Sequence, residues 1–387
     1  MASALSPLPV NEASPLALYV HWPFCVSKCP YCDFNSHVRS SIDQQAWRDA
    51  LLADLAYEAA LLPGRSLGSI FFGGGTPSLM DPATVAAVIE AAQRHWPATS
   101  DLEITLEANP SSVEAANFAD LAAAGVNRVS LGLQSLDDDA LRFLGRAHDT
   151  KEALAALDTA QRHFGRVSID LIYALPGQTA DQWQAMLTRA LGFGTGHLSL
   201  YQLTIEPGTK FAALHAAGRF TPLDEDSAAG LFELTAEMTD AASRPAYEIS
   251  NHAVPGQESR HNLTYWRYGD YAGIGPGAHG RRNGLRTVRH KKPENFLAAL
   301  ARNGHGMVEE EPLSSEESAH EALVMGLRLA EGIDPAALQR RFGRPLIDAA
   351  AAFRLAQLRL LDQSPERLRV TPAGRLVLDR ILAEVAA

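Results

Sequence analysis

The sequence is poor in cysteine and has no long apolar run. Its 387 residues include only three cysteines, Cys25, Cys29 and Cys32. An odd number of cysteines this close together cannot form a disulfide framework, so we expect a reducing compartment, the cytosol. No apolar stretch approaches the ~20 residues that a membrane helix needs, and we expect no integral membrane protein.

Positive charge is also scarce. The net charge is −11 at pH 7, with 34 Lys and Arg residues against 45 Asp and Glu residues. A protein that binds nucleic acid through phosphate contacts usually carries the opposite sign, so we expect no nucleic-acid partner. A winged-helix DNA-binding regulator is an alternative that only the C-terminal tail suggests. Its local positive charge comes from Arg359, Arg367, Arg369, Arg375 and Arg380.

Short, β-branched apolar runs alternate with helical periods over the first half of the chain. The predicted strands are Leu16–Trp22, Ser69–Phe72, Leu102–Glu107, Asn127–Leu133, Val167–Tyr173 and His197–Leu203. Because a parallel crossover needs a connection of helix length, these six units predict a parallel sheet with helices outside. Six units are fewer than the eight of a closed TIM barrel. The predicted fold class is therefore α/β, a partial (β/α)6 barrel.

The length of the chain predicts two or three domains. The leader is rich in Ala, Ser and Pro and has no basic n-region, so we expect a flexible segment rather than a signal peptide. After the barrel we expect a helix at Asp226–Ala242, a strand at Ala246–Ser250 and then a mostly helical, winged-helix-like domain. The predicted divisions are a leader (1–15), the barrel (16–222), a connecting region (223–300) and the C-terminal domain (301–387).

The three cysteines follow the first predicted strand with the spacing C-x3-C-x2-C. Thiolates at such a spacing suit iron–sulfur clusters and zinc. A structural zinc site needs four ligands, so it would have to recruit His21 or His37. Three cysteines on a four-iron cluster instead leave one iron open to a cofactor or substrate. Three buried free cysteines are the remaining alternative.

Polar residues stand at the ends of the other predicted strands. The run from Gly73 to Pro77 follows the second strand, Glu107 ends the third, Gln134 follows the fourth and Asp170 lies within the fifth. A carboxylate in an apolar strand costs several kcal/mol unless it is paired or hydrogen-bonded. A structural ion pair would explain each residue singly. Together they mark the C-terminal ends of parallel strands, where α/β barrels place their sites.

The cysteine spacing, with Tyr31 directly before the last cysteine, resembles the radical S-adenosylmethionine (SAM) superfamily. Further segments read YVHWPFC at 19–25, GGGTPS at 73–78, GLQSL at 132–136 and DLIYALPGQT at 170–179. They are similar to the oxygen-independent coproporphyrinogen III dehydrogenases and their relatives, the HemN/HemW group. This resemblance runs from about residue 16 to the tail and implies a [4Fe–4S] cluster on the three cysteines.

In that group the open iron of the cluster is chelated by the amino and carboxylate groups of SAM. The resemblance also places the SAM contacts by motif. Arg146 lies twelve residues after Gln134, as the pattern of the group requires. The implied contacts are Tyr19, Tyr31, Gly74, Gly75, Thr76, Glu107, Gln134, Arg146 and Asp170.

Two differences from the dehydrogenases bear on the activity that we expect of this chain. The dehydrogenases carry a fourth cysteine two residues after the third, where this chain has Phe34, and their extension before the first strand is longer. The residues from His261 to Trp266 read HNLTYW, which matches the H-N-x-x-Y-W motif of the haem-chaperone branch. The resemblance therefore implies a protein that binds haem and passes it to an acceptor protein. The class of acceptors includes membrane-associated proteins. Decarboxylation of coproporphyrinogen III is the alternative.

Two histidines are candidate haem ligands, since a neutral imidazole binds haem iron well. His261 stands close to Tyr265 and Trp266, which are able to cover a porphyrin face. His279, in the glycine-rich run from Gly275, is the second candidate. The simpler interpretation of His261 is a hydrogen-bonded histidine at an interface.

Overall fold

The computed structural model describes residues 14–364 and 366–386. Almost all of the predicted leader lies outside the described residues. Up to the end of the predicted barrel, the strands are β1 (Leu16–Trp22), β2 (Phe24–Cys25), β3 (His37–Val38), β4 (Leu67–Gly74), β5 (Ala98–Ala108), β6 (Arg128–Gln134), β7 (Arg166–Tyr173) and β8 (His197–Gln202).

Six of these strands form the predicted parallel sheet. Strands β1, β4, β5, β6, β7 and β8 lie side by side in chain order, and each pairs in parallel with the next. The partial (β/α)6 architecture is therefore confirmed. The predicted and observed strand ends agree or differ by one or two residues, except that β5 starts four residues earlier than predicted, at Ala98.

Helices connect these strands on the outside of the sheet. Several begin where the sequence provides a capping side chain: Asp81 accepts from the Ala83 N–H before Pro82, and Asp149 forms a capping box with Glu152. The helices up to residue 241 are α1 (Gln44–Leu61), α2 (Pro82–His95), α3 (Ser112–Ala115), α4 (Phe118–Ala123), α5 (Asp138–Phe143), α6 (Thr150–His163), α7 (Ala180–Leu191), α8 (Lys210–Ala216) and α9 (Glu225–Ala241).

The two faces of the parallel sheet differ in chemistry. Successive side chains of a strand point to opposite faces. In β6, Val129, Leu131 and Leu133 are buried in the core beneath the helices. The alternate residues of the same strand, Arg128 and Ser130, hydrogen-bond to polar groups on the other face. The helix-facing side therefore carries the hydrophobic core, and the inner side carries the polar residues.

Further strands widen the sheet at both edges. At one edge β9 (Asn251–Ala253) pairs antiparallel with β8. At the other, β10 (Tyr271–Ile274) pairs in parallel with β1, and β11 (His279–Arg282), β12 (Leu285–Arg289) and β13 (Met307–Pro312) follow antiparallel. The resulting sheet has eleven strands. The H-N-x-x-Y-W motif lies on a short helix between them, α10 (Arg260–Trp266).

The strand predicted at Ala246–Ser250 is wrong in position. The strand of this region starts at Asn251, and Ala246 forms only an isolated bridge to His252. The carboxylate of Glu248 explains the shift, because it accepts from the backbone N–H groups of Ile249 and Ser250 at 2.7 and 3.1 Å. Those two donors are therefore not available to a neighbouring strand.

The C-terminal part has a hydrophobic core of its own, built on residues such as Leu323, Leu355 and Ile381. Helices precede an antiparallel hairpin, which is the order of the predicted winged-helix-like domain. No helix in the described ranges is long and apolar enough to cross a membrane. Helix α11 (Pro293–Asn303) packs on the barrel core through Phe296. The elements of the C-terminal part are α12 (Ser315–Gly326), α13 (Pro335–Phe342), α14 (Ala349–Gln357), β14 (Leu361–Gln363), β15 (Leu368–Val370), α15 (Pro372–Arg375) and α16 (Leu378–Val385).

Candidate functional site

The three cysteines lie on one loop, residues 25–38, which follows β1 and is named the cluster loop here. All three are free and partly buried, and the Cys32 N–H donates to the Cys29 carbonyl over 3.2 Å. Burial raises the pKa of the Cys25 thiol, and the neighbouring Cys32 and Cys29 raise it further. The three sulfur atoms therefore lie close enough for the charge of one to affect the pKa of another.

Hydrogen bonds from the barrel hold the cluster loop in place. Thr76 Oγ1 donates to Cys25 Sγ at 3.4 Å, and Arg146 Nη1 donates to Cys29 Sγ at 3.3 Å. The Phe211 N–H donates to the carbonyl of Pro30 at 2.8 Å. Donors to sulfur orient thiolate ligands and tune the metal group that they bind. The loop is thus docked on the carboxyl-terminal ends of the parallel strands, a region named the barrel mouth below.

The histidines that a zinc site would need are already engaged. His21 Nδ1 shares a hydrogen bond with the Tyr19 hydroxyl, and its Nε2 with the Asn35 carbonyl, each at 2.9 Å. His37 Nε2 lies 3.2 Å from Asn35 Oδ1. In the part of the chain that the structure describes, no three or more His, Cys, Asp or Glu side chains are grouped closely enough to hold one metal ion. A [4Fe–4S] cluster makes a different demand, because each thiolate binds its own iron.

The glycine loop after β4 forms one unit with the cluster loop. Gly74 has a φ of 110°, a region that residues with a Cβ rarely adopt. A Cβ on Gly75 would lie 2.7 Å from the Phe24 carbonyl oxygen. The N–H groups of Gly75 and Thr76 donate to the Trp22 and Phe24 carbonyls at 2.7 and 2.8 Å. Glycine is therefore required here for close contact with the end of β1.

Two partly buried carboxylates face the barrel mouth from β5 and β7. Glu107 accepts from the Gly74 N–H at 3.2 Å, and Asp170 accepts from Ser130 Oγ at 3.0 Å. Burial raises the pKa of Glu107 to about 8, and the charge of Asp170 adds to the shift. Burial likewise raises the pKa of Asp170. The pKa of Asp170 stays raised although the charges of Arg128 and Arg146 lower it, and SAM supplies further cations in its sulfonium and its ammonium group.

Arg146 provides the complementary charge at the mouth. Its Nη2 donates to Asn109 Oδ1 at 2.5 Å and to the Gly132 carbonyl at 3.2 Å, and its Nη1 also approaches the Tyr31 hydroxyl at 3.4 Å. Its buried Nε finds no acceptor among the described residues. A guanidinium with a spare buried donor fits the carboxylate of SAM. Gln134 stands next to it with a φ of 65°, an uncommon value at a strand end.

Tyr19 and Tyr31 place aromatic rings beside these charged groups. Burial raises the pKa of Tyr19, and the nearby charge of Glu107 adds to it. The Tyr31 ring lies 6.2 Å from that of Phe211, measured between centroids. The structure thus brings the nine predicted SAM contacts and the three cysteines to one mouth, where carboxylates, a guanidinium and thiols meet. This residue set fits a cluster with a bound SAM.

His261 adjoins this group, with its ring 6.3 Å from that of Tyr19 between centroids, but its side chain is not accessible. It is only 1 % exposed, on α10, and its ring stacks on Phe71 at 4.9 Å. Its Nδ1 shares a hydrogen bond with Ser69 Oγ at 3.0 Å, and its Nε2 shares one with the Tyr265 hydroxyl. Burial lowers the pKa of His261 to about 3. Both ring nitrogens are therefore engaged on the inner side of the sheet.

His279 is exposed beside the cluster loop. It begins β11, directly after the segment 275–278. Asn35, on the cluster loop, donates from Nδ2 to the carbonyls of Pro276 and Lys291, each at 2.9 Å. Two candidate haem ligands that look alike in the sequence thus differ in accessibility.

Sequence reasoning missed several residues that build this site. Asn109 orients Arg146 and stands two residues past Glu107 on the same strand end, a signal that was available. Asp54 lies in α1, yet it accepts from the N–H groups of Gly275 and Gly306 at 3.1 and 3.0 Å and from Arg289 Nε at 3.2 Å. In the sequence, the only indication that Asp54 has such a role was a carboxylate at one of the apolar positions of α1.

Comparisons with known proteins agree with this geometry. The model of the radical SAM superfamily matches residues 19–190, and that of the HemN C-terminal domain matches residues 313–377. The chain is 36% identical to the heme chaperone HemW of Escherichia coli over 386 residues, which covers 95% of this chain and 97% of the relative. It is 35% identical to the HemW of Mycobacterium tuberculosis, over 98% and 96% of the two chains.

Two further matches extend the comparison. The chain is 42% identical to the mitochondrial radical S-adenosyl methionine domain-containing protein 1 of Bos taurus, over 85% of this chain and 76% of that one. Among solved structures, coproporphyrinogen III oxidase (HemN) of Escherichia coli aligns with a TM-score of 0.79 at 23% identity, over 95% of this chain and 89% of that chain. At that identity the structural match shows the fold alone.

The raised pKa of Glu107 predicts a pH-dependent effect of Glu107→Gln on the ligand-free protein. The unfolded carboxyl releases its proton near 4.5 and the folded one near 8. Between these values the folded state holds an extra proton, so wild-type stability is lost as pH rises through this window. Glutamine has no such proton to lose. The variant should gain about 1–3 kcal/mol relative to wild type between about pH 5 and about pH 8.5.

Urea unfolding of both proteins at the two pH values measures this difference. Glu237→Gln, at an exposed position of α9, is the matched control and should show no such gain. An equal stability difference at both pH values for Glu107→Gln would contradict the raised pKa.

Proposed function

The chain belongs to the radical SAM superfamily, in the family of the haem chaperone HemW and the coproporphyrinogen III oxidase HemN, and on that premise we propose that it binds haem and transfers it to an acceptor protein. The similarity to the HemW proteins carries this proposal, because it extends over nearly the full length of both chains. In this proposal a [4Fe–4S] cluster and SAM assemble or gate the transfer.

The barrel mouth provides what such a centre needs. The cluster would be held by the three cysteines, and it supplies an open iron that chelates SAM and an electron for reductive chemistry. Arg146 binds and orients the carboxylate of SAM, with Asn109 fixing the guanidinium. Glu107 and Asp170 face its positive groups. A cation beside Glu107 favours the ionised carboxylate, so SAM binding releases the proton that burial holds there.

We propose that His279 binds the haem iron in the described conformation. It is exposed beside the cluster loop, whereas His261 would have to break its hydrogen bonds with Ser69 and Tyr265. Ligation by His261 therefore requires α10 to leave the inner side of the sheet. The first turn of α10, where the H-N-x-x-Y-W motif begins, is instead bound to the barrel, because Glu103 on β5 accepts from the N–H groups of Arg260 and His261 at 2.9 and 3.3 Å.

The coproporphyrinogen III dehydrogenase alternative lacks comparable support. The cluster loop carries an exposed phenyl ring at Phe34, where the dehydrogenases resembled by the sequence carry a further cysteine. The shared cluster motif does not separate the two activities. We therefore propose no turnover of coproporphyrinogen III.

Two of the five tail arginines form ion pairs within the C-terminal part: Arg369 pairs with Asp362 at 2.6 Å and Arg380 pairs with Glu384 at 2.7 Å. Charges that are paired in this way are less available to phosphates. Our proposal therefore includes no nucleic-acid partner, and it places the protein in the cytosol with a haem-acceptor protein as its partner.

An anaerobic assay of the reconstituted protein with haem and coproporphyrinogen III, side by side, tests the proposed function. We expect stoichiometric haem binding and no carbon dioxide from coproporphyrinogen III, because the cluster loop lacks the fourth cysteine. The matched control is the protein without SAM and reductant, which fixes the background release of carbon dioxide. Sustained conversion to protoporphyrinogen would overturn the chaperone proposal.

Absorbance titration of haem into histidine variants identifies the iron ligand. His279→Ala should shift the Soret band and weaken haem binding by about tenfold or more, because the metal bond is lost. His261→Ala should leave the Soret position unchanged. His163→Ala removes an exposed histidine of α6 and serves as the control. A Soret shift in His261→Ala with none in His279→Ala would show that α10 opens to bind haem.

A further inference from the structure

Three large apolar side chains of the cluster loop are exposed to solvent. Val26, Phe34 and Val38 are 70, 60 and 49 % exposed. All three lie within a few residues of a cysteine that would hold the cluster. Val38 is the strand partner of Cys25, so it lies near Val26, and exposed apolar side chains that lie together commonly mark a binding surface.

Basic side chains lie on the same surface together with acidic ones, among them the exposed Asp33 next to Phe34. Lys28 and Arg39 act electrostatically on His37, whose pKa is lowered first of all by burial. Lys291 and Arg286 act in the same way on His279, with Glu309 opposing them. Arg39 is paired with Glu294 at 2.5 Å.

Lys291 has no such ion pair among the described residues, and its side chain is exposed. Its backbone carbonyl accepts from Asn35 Nδ2 at 2.9 Å, which ties it to the cluster loop next to Phe34. The charge of this lysine is therefore available to an anion from solution.

The elements that carry these groups are held rigidly. Asp54 binds the N–H groups of Gly275 and Gly306, which flank the segments carrying His279 and Lys291. It is paired with Arg289, and both side chains are fully buried. A Cβ on Gly277 would lie 2.4 Å from Asn35 Nδ2, so this segment and the cluster loop are in close contact. Binding here requires little reorganisation of the backbone.

We propose that haem docks on the outside of this surface, across the cluster loop and the segment 275–279, with Phe34 against the porphyrin face and Lys291 bound to a propionate. This inference rests on the proposed function and deepens it by assigning the site. Haem is planar and apolar, carries two carboxylates and an iron, and so matches an exposed phenyl ring, a free lysine and an exposed imidazole, His279. A protein partner would match the apolar and basic groups but would leave the imidazole without a role.

Haem and its dimethyl ester, titrated into variants of the full-length protein, test the site. Lys291→Gln should weaken haem binding about five- to tenfold and leave binding of the ester unchanged, because the ester has no charge to pair. Phe34→Ala should weaken the binding of both ligands by about tenfold, because the apolar contact is shared. The iron and sulfide content of each variant shows that the cluster loop remains folded.

Two control variants remove an exposed lysine and an exposed apolar side chain far from the proposed haem site in the sequence. Lys151→Gln removes a lysine of α6, and Leu358→Ala removes a side chain that is 68 % exposed at the end of α14. Neither should change haem affinity. If wild type binds haem but Phe34→Ala has no effect and haem and its ester bind equally, the site is overturned while the proposed function survives. If wild type binds no haem, both the site and the proposed function fail.

Discussion

The docking of the cluster loop on the barrel mouth is the constraint on which the rest of the site depends. Thr76 and Arg146 donate to Cys25 and Cys29, and the glycine loop after β4 contacts the loop through backbone hydrogen bonds. Parallel pairing brings the carboxyl ends of the strands to one edge, so each strand adds a group to the same small space. Without this docking the three thiols would sit on an isolated loop far from the carboxylates.

The barrel mouth contains both acidic and basic side chains, which match the opposite charges of a zwitterionic ligand. Glu107 and Asp170 are partly buried, and their charges repel each other, a costly arrangement that a positively charged ligand relieves. Arg146 is partly buried against the cysteines, and its Nε has no acceptor among the described residues. A zwitterionic ligand with an additional sulfonium satisfies both sides at once. The ligand-free protein therefore carries an electrostatic cost in its binding site, as sites that must hold a charged cofactor commonly do.

The sequence was sufficient to predict the parallel strands and the polar side chains at their ends, whereas the ligand roles of those side chains stay predictions. β-branched runs and helix caps are local signals, and the ligand groups followed from motif resemblance. The pairing of β10 with β1 is not local, because these strands lie far apart in the chain, and the short edge strands β9 to β13 carry weak patterns. The same limit applies to α10. A histidine near aromatic residues looks like a haem ligand in the sequence, and only the fold shows that Ser69 and Tyr265 occupy both of its nitrogens.

The most direct test of a cluster with SAM bound beside it is the electron paramagnetic resonance spectrum of the reduced, anaerobically reconstituted protein. We expect about four iron and four sulfide per chain and a signal that SAM perturbs, because the open iron gains ligands. Asp170→Ala should retain the iron and sulfide while requiring more SAM for the same perturbation. A signal that SAM leaves unchanged, or stoichiometric zinc without sulfide, would contradict the site described here.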